Sequence, residues 1–461
     1  MNIFDTVSPL DYRYYGGNEE LFERLSPYVS ESAYIKYLLK VETALVKVLA
    51  RRGICQEAVV AEVERACEDI TPGEVYQEEV RIRHNIRALV NCIRRRISEE
   101  SRQYIHLLAT SCDILDTATA LRYKDLTNDV ILPDLVKLER TLIDLARKNA
   151  DVVQMGRTHG QHAEPITFGF FLALYVDRLG NRIEFIEKSC QNLCGQFSGA
   201  VGAYNAIALI YPQNPETFER EVLQELGLKP AGISSQIVQP EPLTDLVYSI
   251  ISCFSILADL ADDMRHLYRT EIAEVYERYD EQRVGSSTMP HKINPIHFEN
   301  IKSLFKEFMP RIITIFMDQL SEHQRDLTNS ASSRFVAEIF TAFDYAVRRL
   351  TRTMSKIEVD VDKLNANLAM SKDSFVAEPI YILLAYNGFP DAYDYTRKLI
   401  TESYRTGRKL TEILFKDEKL TPYLKHLTDE QKAILQNPTL YTGAAQKRTT
   451  DICDKWEPKF R

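Results

Sequence analysis

The sequence predicts an all-α protein built around a bundle of long helices, and two observations carry that prediction. Glycine makes up only 17 of 461 residues, well under the average of about 7%, whereas a large all-β fold needs glycine for its tight turns. Helix-breaking residues are also missing over long stretches: 74–132 and 243–284 contain neither Pro nor Gly, 286–387 contains no Gly, and 311–378 contains no Pro. Such gaps favour helices longer than the average of about 11 residues.

Periodic apolar positions predict individual helices in chain order. Leucines recur every three or four residues over 131–146. A second helix, through Phe168 and Tyr175, is expected to open at Pro165, because proline is favoured in the first helical turn. Over 246–268 the apolar stripe is so wide that the helix should be buried on more than one side. Such a helix needs partners, so we expect self-association.

The sequence predicts three domains, and its composition excludes several classes of protein. We expect a mostly helical domain over 1–113, a central long-helix bundle over 114–365 that carries a polar loop at 281–296, and a small helical domain over 366–461. The net charge, 57 − 66 = −9, argues against nucleic-acid binding. No apolar run approaches the ~20 residues of a membrane span, and the N-terminus lacks a secretion signal. Eight cysteines without a CxxC pair predict free thiols in a reducing cytoplasm.

Four polar clusters interrupt the helical pattern. The first, residues 285–295, packs Gly, Ser, Thr and two Pro between two long helices. Its Lys292 and Asn294 are suited to binding a carboxylate. Loops of this length between bundle helices are often functional, although a solvated inter-helix loop stays open as the alternative.

The second cluster, residues 156–165, places His159 and His162 just before the helix expected at Pro165. A histidine there can act as an acid or a base near neutral pH. A metal site is the weaker hypothesis, because the spacing lacks the HExxH pattern and a clear third ligand. No metal and no cofactor are therefore predicted. A capping Glu164 with a surface histidine is the plainer alternative.

The other two clusters are more ambiguous. In 324–334, Ser330 and Arg334 are expected to share one face of a helix capped by Thr328 or Asn329, an arrangement that suits a phosphate. A capping cluster with a solvated Arg is equally open. The last cluster is 110–113, with His106 upstream of it. His106 and Thr110 lie four residues apart, so they are expected to share one face of a helix, although a polar helix end explains them as well.

Residues 285–295, GSSTMPHKINP, resemble the signature loop of the fumarase/aspartase superfamily of lyases, whose pattern is GSSxMPxKxNP, at all eleven positions. The TSxD and THGQ motifs of that superfamily have counterparts at 110–113 and 158–161, in the same order. Within the superfamily the chain is similar to the adenylosuccinate lyase branch. Residues 8–14 resemble its SPLDGRY, with Tyr12 in place of Gly, and 157–161 and 325–330 resemble its RTHGQ and RDLTDS. The resemblance runs from residue 8 to about residue 400.

This resemblance implies a three-domain, all-helical subunit that forms a homotetramer, with each active site built by three subunits. It implies a small-molecule substrate, a succinyl-purine nucleotide: adenylosuccinate would be split into AMP and fumarate, and the succinylated carboxamide ribotide into its carboxamide and fumarate. Ser286 would abstract the proton beside the succinyl carboxylate. His159 would protonate the departing nitrogen, and Glu299 would orient His159.

The resemblance assigns binding roles to the remaining candidates. The succinyl carboxylates would be held by Lys292, Asn294, Thr110, Ser111 and Gln236. His84 and His106 would line the site. The 5′-phosphate would be bound by Arg13, Tyr14, Ser330 and Arg334, with Arg325 near the nucleotide.

The chain departs from the family pattern at two places. Leu108 and Ala109 replace the usual Gly-Leu before TSxD, and Pro240 and Glu241 stand where the family often has Arg-Asp, which removes a positive group. Two alternatives stay open. One is a sister lyase acting on argininosuccinate, fumarate or aspartate. The other is a non-catalytic helical oligomer, which would be expected to have lost Ser286, His159 or Lys292.

Overall fold

The computed structural model describes residues 3–278, 288–289, 291–371 and 373–460. Helices dominate these residues, which confirms the all-α fold class. In chain order the helices are α1 (Glu19–Val29), α2 (Glu31–Arg51), α3 (Glu57–Glu68), α4 (Pro72–Ile82), α5 (Asn85–Arg94), α6 (Ser111–Leu126), α7 (Leu132–Lys148), α8 (Phe168–Gln191), α9 (Asn205–Ile210), α10 (Glu216–Glu225), α11 (Glu241–Leu267), α12 (Ile296–Phe308), α13 (Ile312–Met317), α14 (Val336–Met354), α15 (Val361–Met370), α16 (Ala377–Tyr386), α17 (Ala392–Thr406), α18 (Leu410–Lys416), α19 (Thr421–Leu424), α20 (Asp429–Gln436) and α21 (Ala445–Trp456).

Short strands pair into two-stranded sheets. β1 (Val153–Thr158) and β2 (Gln161–Thr167) form an antiparallel hairpin. β3 (Cys194–Gly195) runs parallel to β4 (Lys229–Pro230), and β5 (Val275–Glu277) pairs antiparallel with β6 (Ile357–Val359).

The helices expected over 131–146 and 246–268 are confirmed as α7 and α11. α11 is also long and apolar enough to cross a membrane, judged by length and composition alone. However, 67% of its most apolar window is buried inside the protein, as expected for the core helix that the wide apolar stripe predicts.

Over 74–132 the expectation of helices longer than average holds for α6, with 16 residues, but not for α4 and α5, with 11 and 10 residues. α4 ends where Arg83 adopts the left-handed conformation (φ 58°), and His84 caps α5. The expectation that Pro165 opens a helix is wrong. Pro165 lies in β2 opposite Met155, and α8 begins at Phe168. A proline without an N–H is tolerated at the edge of a two-stranded ribbon, so the same residue fits either element.

Contacts divide the chain into two compact units, and the three-part division at 113 and 365 stays a prediction. The first unit comprises Met1–Val136, Asn181–Ala258 and Ile301–Arg349. In it α2 packs against α3 and α6. Phe254 packs edge-on against Phe305 and Phe343, with ring centroids 5.7 and 5.5 Å away, an arrangement that aromatic quadrupoles favour.

The second unit comprises Lys137–Gly180, Asp259–Asn300 and Leu350–Arg461. An apolar core of this unit joins Met155 of β1 to side chains from α15 to α20. The indole of Trp456 is fully buried, and its Nε1 donates to Asp177 Oδ1 at 2.9 Å. Gly180 leaves room for this ring, because a Cβ there would lie 2.5 Å from Trp456 Cδ2.

Candidate active site

The N-terminus of α6 gathers several predicted site residues of the first unit. Thr110 is the N-cap, and its N–H donates to Asp113 Oδ2 at 2.8 Å. Since α6 begins at Ser111, the prediction that His106 and Thr110 share a helix face is wrong. His106 and Leu108 instead adopt left-handed backbone conformations, with φ 63° and 70°. Glycine adopts this conformation without the steric cost that a Cβ brings, so Leu108 carries a strain that the Gly of the family pattern would avoid.

Asp113 is fully buried and holds the loop that follows β3. Its Oδ1 accepts from the N–H groups of Ser198 and Gly199 at 3.2 and 3.3 Å. Burial raises the pKa of the Asp113 carboxyl to about 7, although its three backbone hydrogen bonds act in the opposite direction. A fixed, buried carboxyl therefore sets the geometry beside Thr110 and Ser111.

His106 is joined to a residue that the sequence analysis did not identify. Its Nδ1 lies 2.7 Å from Oε1 of Glu42, a fully buried carboxylate on α2. Burial opposes the imidazolium, but the carboxylate outweighs it, and the pKa of His106 is raised above its usual value. A glutamate within the apolar run of α2 was the available signal, since a charge is rarely buried unless it is paired.

Gln236 and Arg325 lie at the same end of α6. Gln236 Oε1 is 3.8 Å from Cys112 Sγ, and its Nε2 donates to Ala200 O at 3.1 Å. Burial raises the pKa of the Asp116 carboxyl to about 6, while the nearby Arg325 guanidinium lowers it. The fold thus brings Thr110, Ser111 and Gln236 together, with Arg325 beside them.

His84 caps α5, where its Nδ1 accepts from the N–H of Arg87 at 3.3 Å.

The predicted phosphate-binding residues lie on the N-terminal turn and before α14. Residues 10–15 form a single π-helical turn that lies along α14, since the rings of Tyr14 and Tyr345 meet edge-on at 5.1 Å. Arg13 and Arg334 are exposed. Ser330 and Arg334 do not share an α-helical face, as Ser330 is in a turn and Arg334 in a 3₁₀ segment. α14 begins only at Val336, so the cap predicted at Thr328 or Asn329 is also wrong.

In the second unit, His159 stands at the tip of the β1–β2 hairpin. His159 and Gly160 form a two-residue turn between the paired Thr158 and Gln161, with φ 54° and 73°. Such turns require left-handed residues and match the twist of the strands. His159 is exposed. The motif therefore presents the imidazole on a hairpin tip and not at a helix start.

Lys292 and Asn294 precede α12, and Glu299 lies in its first turn. Lys292 and Glu299 are exposed, and Asn294 is half-buried. Ser286, the predicted base, lies outside the described residues, as do the other residues of 281–287 and Pro290 in the loop 281–296. Within the described part of this unit, no hydrogen bond or ion pair joins His159 to Glu299. The roles predicted for these side chains stay predictions.

The comparisons with known proteins agree with this architecture. A lyase family model matches residues 12–308, and an adenylosuccinate lyase C-terminal model matches 321–435. The adenylosuccinate lyase of Pyrococcus abyssi is 35% identical over 461 residues, covering 99% of both chains. That of Aquifex aeolicus is 33% identical, covering 87% of this chain and 91% of its own. The chain belongs to the adenylosuccinate lyase family.

Solved structures place the family's fold on this chain. The 3-carboxy-cis,cis-muconate lactonizing enzyme of Pseudomonas putida superposes with a TM-score of 0.83 at 25% identity, covering 98% of this chain and all of the other. A fumarate lyase from Mesorhizobium sp. BNC1 gives a TM-score of 0.81 at 22% identity, covering 94% of this chain and 97% of the other, which shows the fold alone.

For this member of the adenylosuccinate lyase family, the described residues offer groups for acid–base and anion-binding chemistry. They contain no cluster of three or more His, Cys, Asp or Glu arranged to hold a metal ion. What they supply is an exposed imidazole on a turn, a buried His–Glu pair, amide donors at the start of α6, and exposed Arg and Lys side chains. Such fixed donors stabilise developing negative charge.

Proposed function

We propose that the chain eliminates fumarate from adenylosuccinate, giving AMP, and from the succinylated carboxamide ribotide of purine biosynthesis. The observation that carries this proposal is the 35% identity to an adenylosuccinate lyase over 99% of the chain. The complete GSSTMPHKINP signature supports it, as do the basic and amide side chains that a dianionic succinyl group and a phosphate need. A sister lyase is the second candidate, through the signature that the superfamily shares.

The proposed chemistry is a β-elimination. Ser286 takes the proton from the carbon beside a succinyl carboxylate, and the resulting aci-carboxylate is stabilised by Lys292 and Asn294. The electron pair then forms the carbon–carbon double bond of fumarate as the carbon–nitrogen bond breaks. His159 gives its proton to the departing nitrogen. Positioned acids and bases contribute ~10²–10⁴-fold each, and each anion-binding donor contributes about 3–4 kcal/mol.

The active site is proposed to form in a homotetramer, with residues contributed by more than one copy. Exposed apolar side chains recur along α13 and just after it: Ile313, Phe316, Met317 and Leu320. Large exposed apolar patches typically mark interfaces. The single chain also leaves His159 and Glu299 unjoined, so a second copy is a natural source of either partner. The eight free thiols support a reducing cytoplasm as its location.

The decisive experiment follows ultraviolet absorbance and fumarate release with purified protein. Loss of adenylosuccinate with equimolar fumarate supports the proposal. Activity on argininosuccinate alone favours the sister lyase, and no activity on any succinyl substrate favours a non-catalytic oligomer. Light scattering gives the mass of the assembly. Mixing the inactive His159→Ala and Ser286→Ala variants tests sharing, since active sites built from several copies recover activity on mixing.

A further inference from the structure

Glu274 is a fully buried carboxylate between α11 and β5, and it accepts hydrogen bonds from three side chains. Arg157 donates to it twice, with Nη2–Oε1 at 2.6 Å and Nη1–Oε2 at 3.2 Å. Gln154 Nε2 donates to Oε2 and Asn367 Nδ2 to Oε1, each at 2.8 Å. Because all these partners are donors, an amide at this position would turn its own NH2 group toward another donor.

Two of the three partners belong to the strand that leads to His159. Gln154 and Arg157 lie on β1, and Arg157 is only two residues from His159. The third partner, Asn367, lies on α15, and its Nδ2 also donates to Ile272 O at 2.8 Å. Glu274 therefore ties strand β1 of the hairpin to α15.

The second strand of the hairpin is held near the end of the same helix. His162 is the cross-strand partner of Arg157, and its Nδ1 lies 2.5 Å from Ser371 Oγ, directly after α15. The tip itself lacks such support: among the described residues, the His159 side chain has no hydrogen-bond partner. The position of the imidazole thus depends on the two strands beneath it.

We propose that Glu274 is a positioning residue for the general acid: by binding Gln154 and Arg157 it fixes strand β1 of the hairpin and hence the place of His159. Glu274 is not proposed to touch the substrate. The inference rests on the proposed function for the acid role of His159. A displacement of about 1 Å in a catalytic group can cost 10²-fold in rate, so a small shift of the hairpin is sufficient to lower turnover.

Glu274→Gln tests this role through steady-state kinetics. We expect kcat for adenylosuccinate to fall about 10²-fold with KM unchanged, because substrate binding does not depend on the acid. Glu274→Asp, which keeps the charge, should restore part of kcat. Glu271→Gln is the matched control, since it makes the same charge change at an exposed side chain three residues away. It should keep the wild-type kcat.

A double variant separates positioning from stability. Removing one partner of a buried ion pair leaves an uncompensated charge, so Glu274→Gln alone also lowers the unfolding midpoint. Combining it with Arg157→Gln removes both charges and should recover much of the midpoint but not kcat. Recovery of kcat together with stability would mean that Glu274 is only structural, and the inference would be wrong.

Hydrogen exchange in the ligand-free protein gives a measurement that does not need the substrate. Amides of residues 153–167 should exchange faster in Glu274→Gln than in the wild type or in Glu271→Gln. A wild type that does not split adenylosuccinate overturns the proposed function but leaves this comparison intact. Unchanged exchange in Glu274→Gln, with unchanged kcat, overturns the positioning role alone.

Discussion

Oε1 of Glu42 lies 2.7 Å from Nδ1 of His106, so a buried carboxylate on α2 holds an imidazole that the family resemblance assigns to the substrate site. The pair raises the pKa of His106 in the folded state. The stabilisation of the folded state by the Glu42–His106 pair is therefore fully present below the pKa of an unfolded histidine, about 6.5. It is lost as the pH rises through the higher pKa of His106 in the folded state.

Glu42→Gln should consequently lower the unfolding temperature more at pH 6 than at pH 9. The comparison is made by circular dichroism at both pH values. Glu23→Gln, an exposed carboxylate on α1, is the control and should show the same small effect at both. If Glu42→Gln lowers the unfolding temperature equally at pH 6 and pH 9, the ion pair between Glu42 and His106 does not contribute to stability.

Ser286→Ala should abolish turnover and spare binding, because only the proton acceptor is removed. A loss of about 10²–10⁴-fold in kcat is the scale for a general base. Calorimetric titration with adenylosuccinate then measures affinity without turnover. Substantial residual activity in this variant contradicts the assignment of the base.

Arg334→Ala should raise KM for the nucleotide and leave the dephosphorylated nucleoside substrate unaffected, because the guanidinium is assigned to the 5′-phosphate. Hydrogen bonds to charged groups contribute about 1.5–3 kcal/mol, which corresponds to roughly a 10–100-fold increase in KM. Arg352→Ala, exposed in the last turn of α14, is the matched control. Equal effects on the phosphorylated and dephosphorylated substrates would exclude a phosphate contact.

Glu139→Leu should stabilise the protein, and more so at high pH. Both carboxylate oxygens of Glu139 are buried without a hydrogen-bond partner among the described residues. Burial, with the nearby Asp177, raises the pKa of Glu139 well above its usual value. The neutral acid is tolerated at low pH, so wild-type stability falls as the pH rises through that value. Thermal melts at pH 5 and pH 8 measure the difference, and a larger gain at pH 5 would contradict this sign.

Gly180→Ala should destabilise the second unit by about 1–3 kcal/mol, the usual cost of overpacking a core. The new methyl group would lie 2.5–2.7 Å from three atoms of the Trp456 indole, a ring that is fully buried. Gly73→Ala is the matched control, because nothing lies within 4 Å of its Cβ position in the first turn of α4. That change should be neutral or stabilise by about 0.4–1 kcal/mol. Urea midpoints for both variants decide the question.

Periodicity was sufficient to predict α7 and α11, because a buried helix repeats its apolar face over many turns. It failed at Pro165, where a residue that favours a first helical turn is equally tolerated at a strand edge. The missing hairpin signal was local, a His-Gly pair that adopts left-handed φ angles. Arg83 likewise ends α4 in that conformation without any glycine to mark the boundary.

For the site, the motifs supplied residue types but not the contacts that position them. Glu42 and Glu274 lie far along the chain from the side chains that they hold, His106 and Arg157, so no short pattern links them. In the turn before α14, a short pattern predicted a shared helical face that the structure does not have. Ser330 and Arg334 have helical spacing, but α14 starts after them. The segment before it forms a turn in which Asp326 Oδ1 accepts hydrogen bonds from the N–H and the hydroxyl of Thr328.

Trp456 is the single tryptophan of the chain, and its indole N–H is bound to Asp177 beneath a stacked Phe460. Light at 295 nm therefore excites one fluorophore, whose emission follows the docking of α21 on α8. A red shift of the Trp456 emission during denaturation reports the denaturant concentration at which this helix is released. Melting confined to the first unit should leave the emission unchanged.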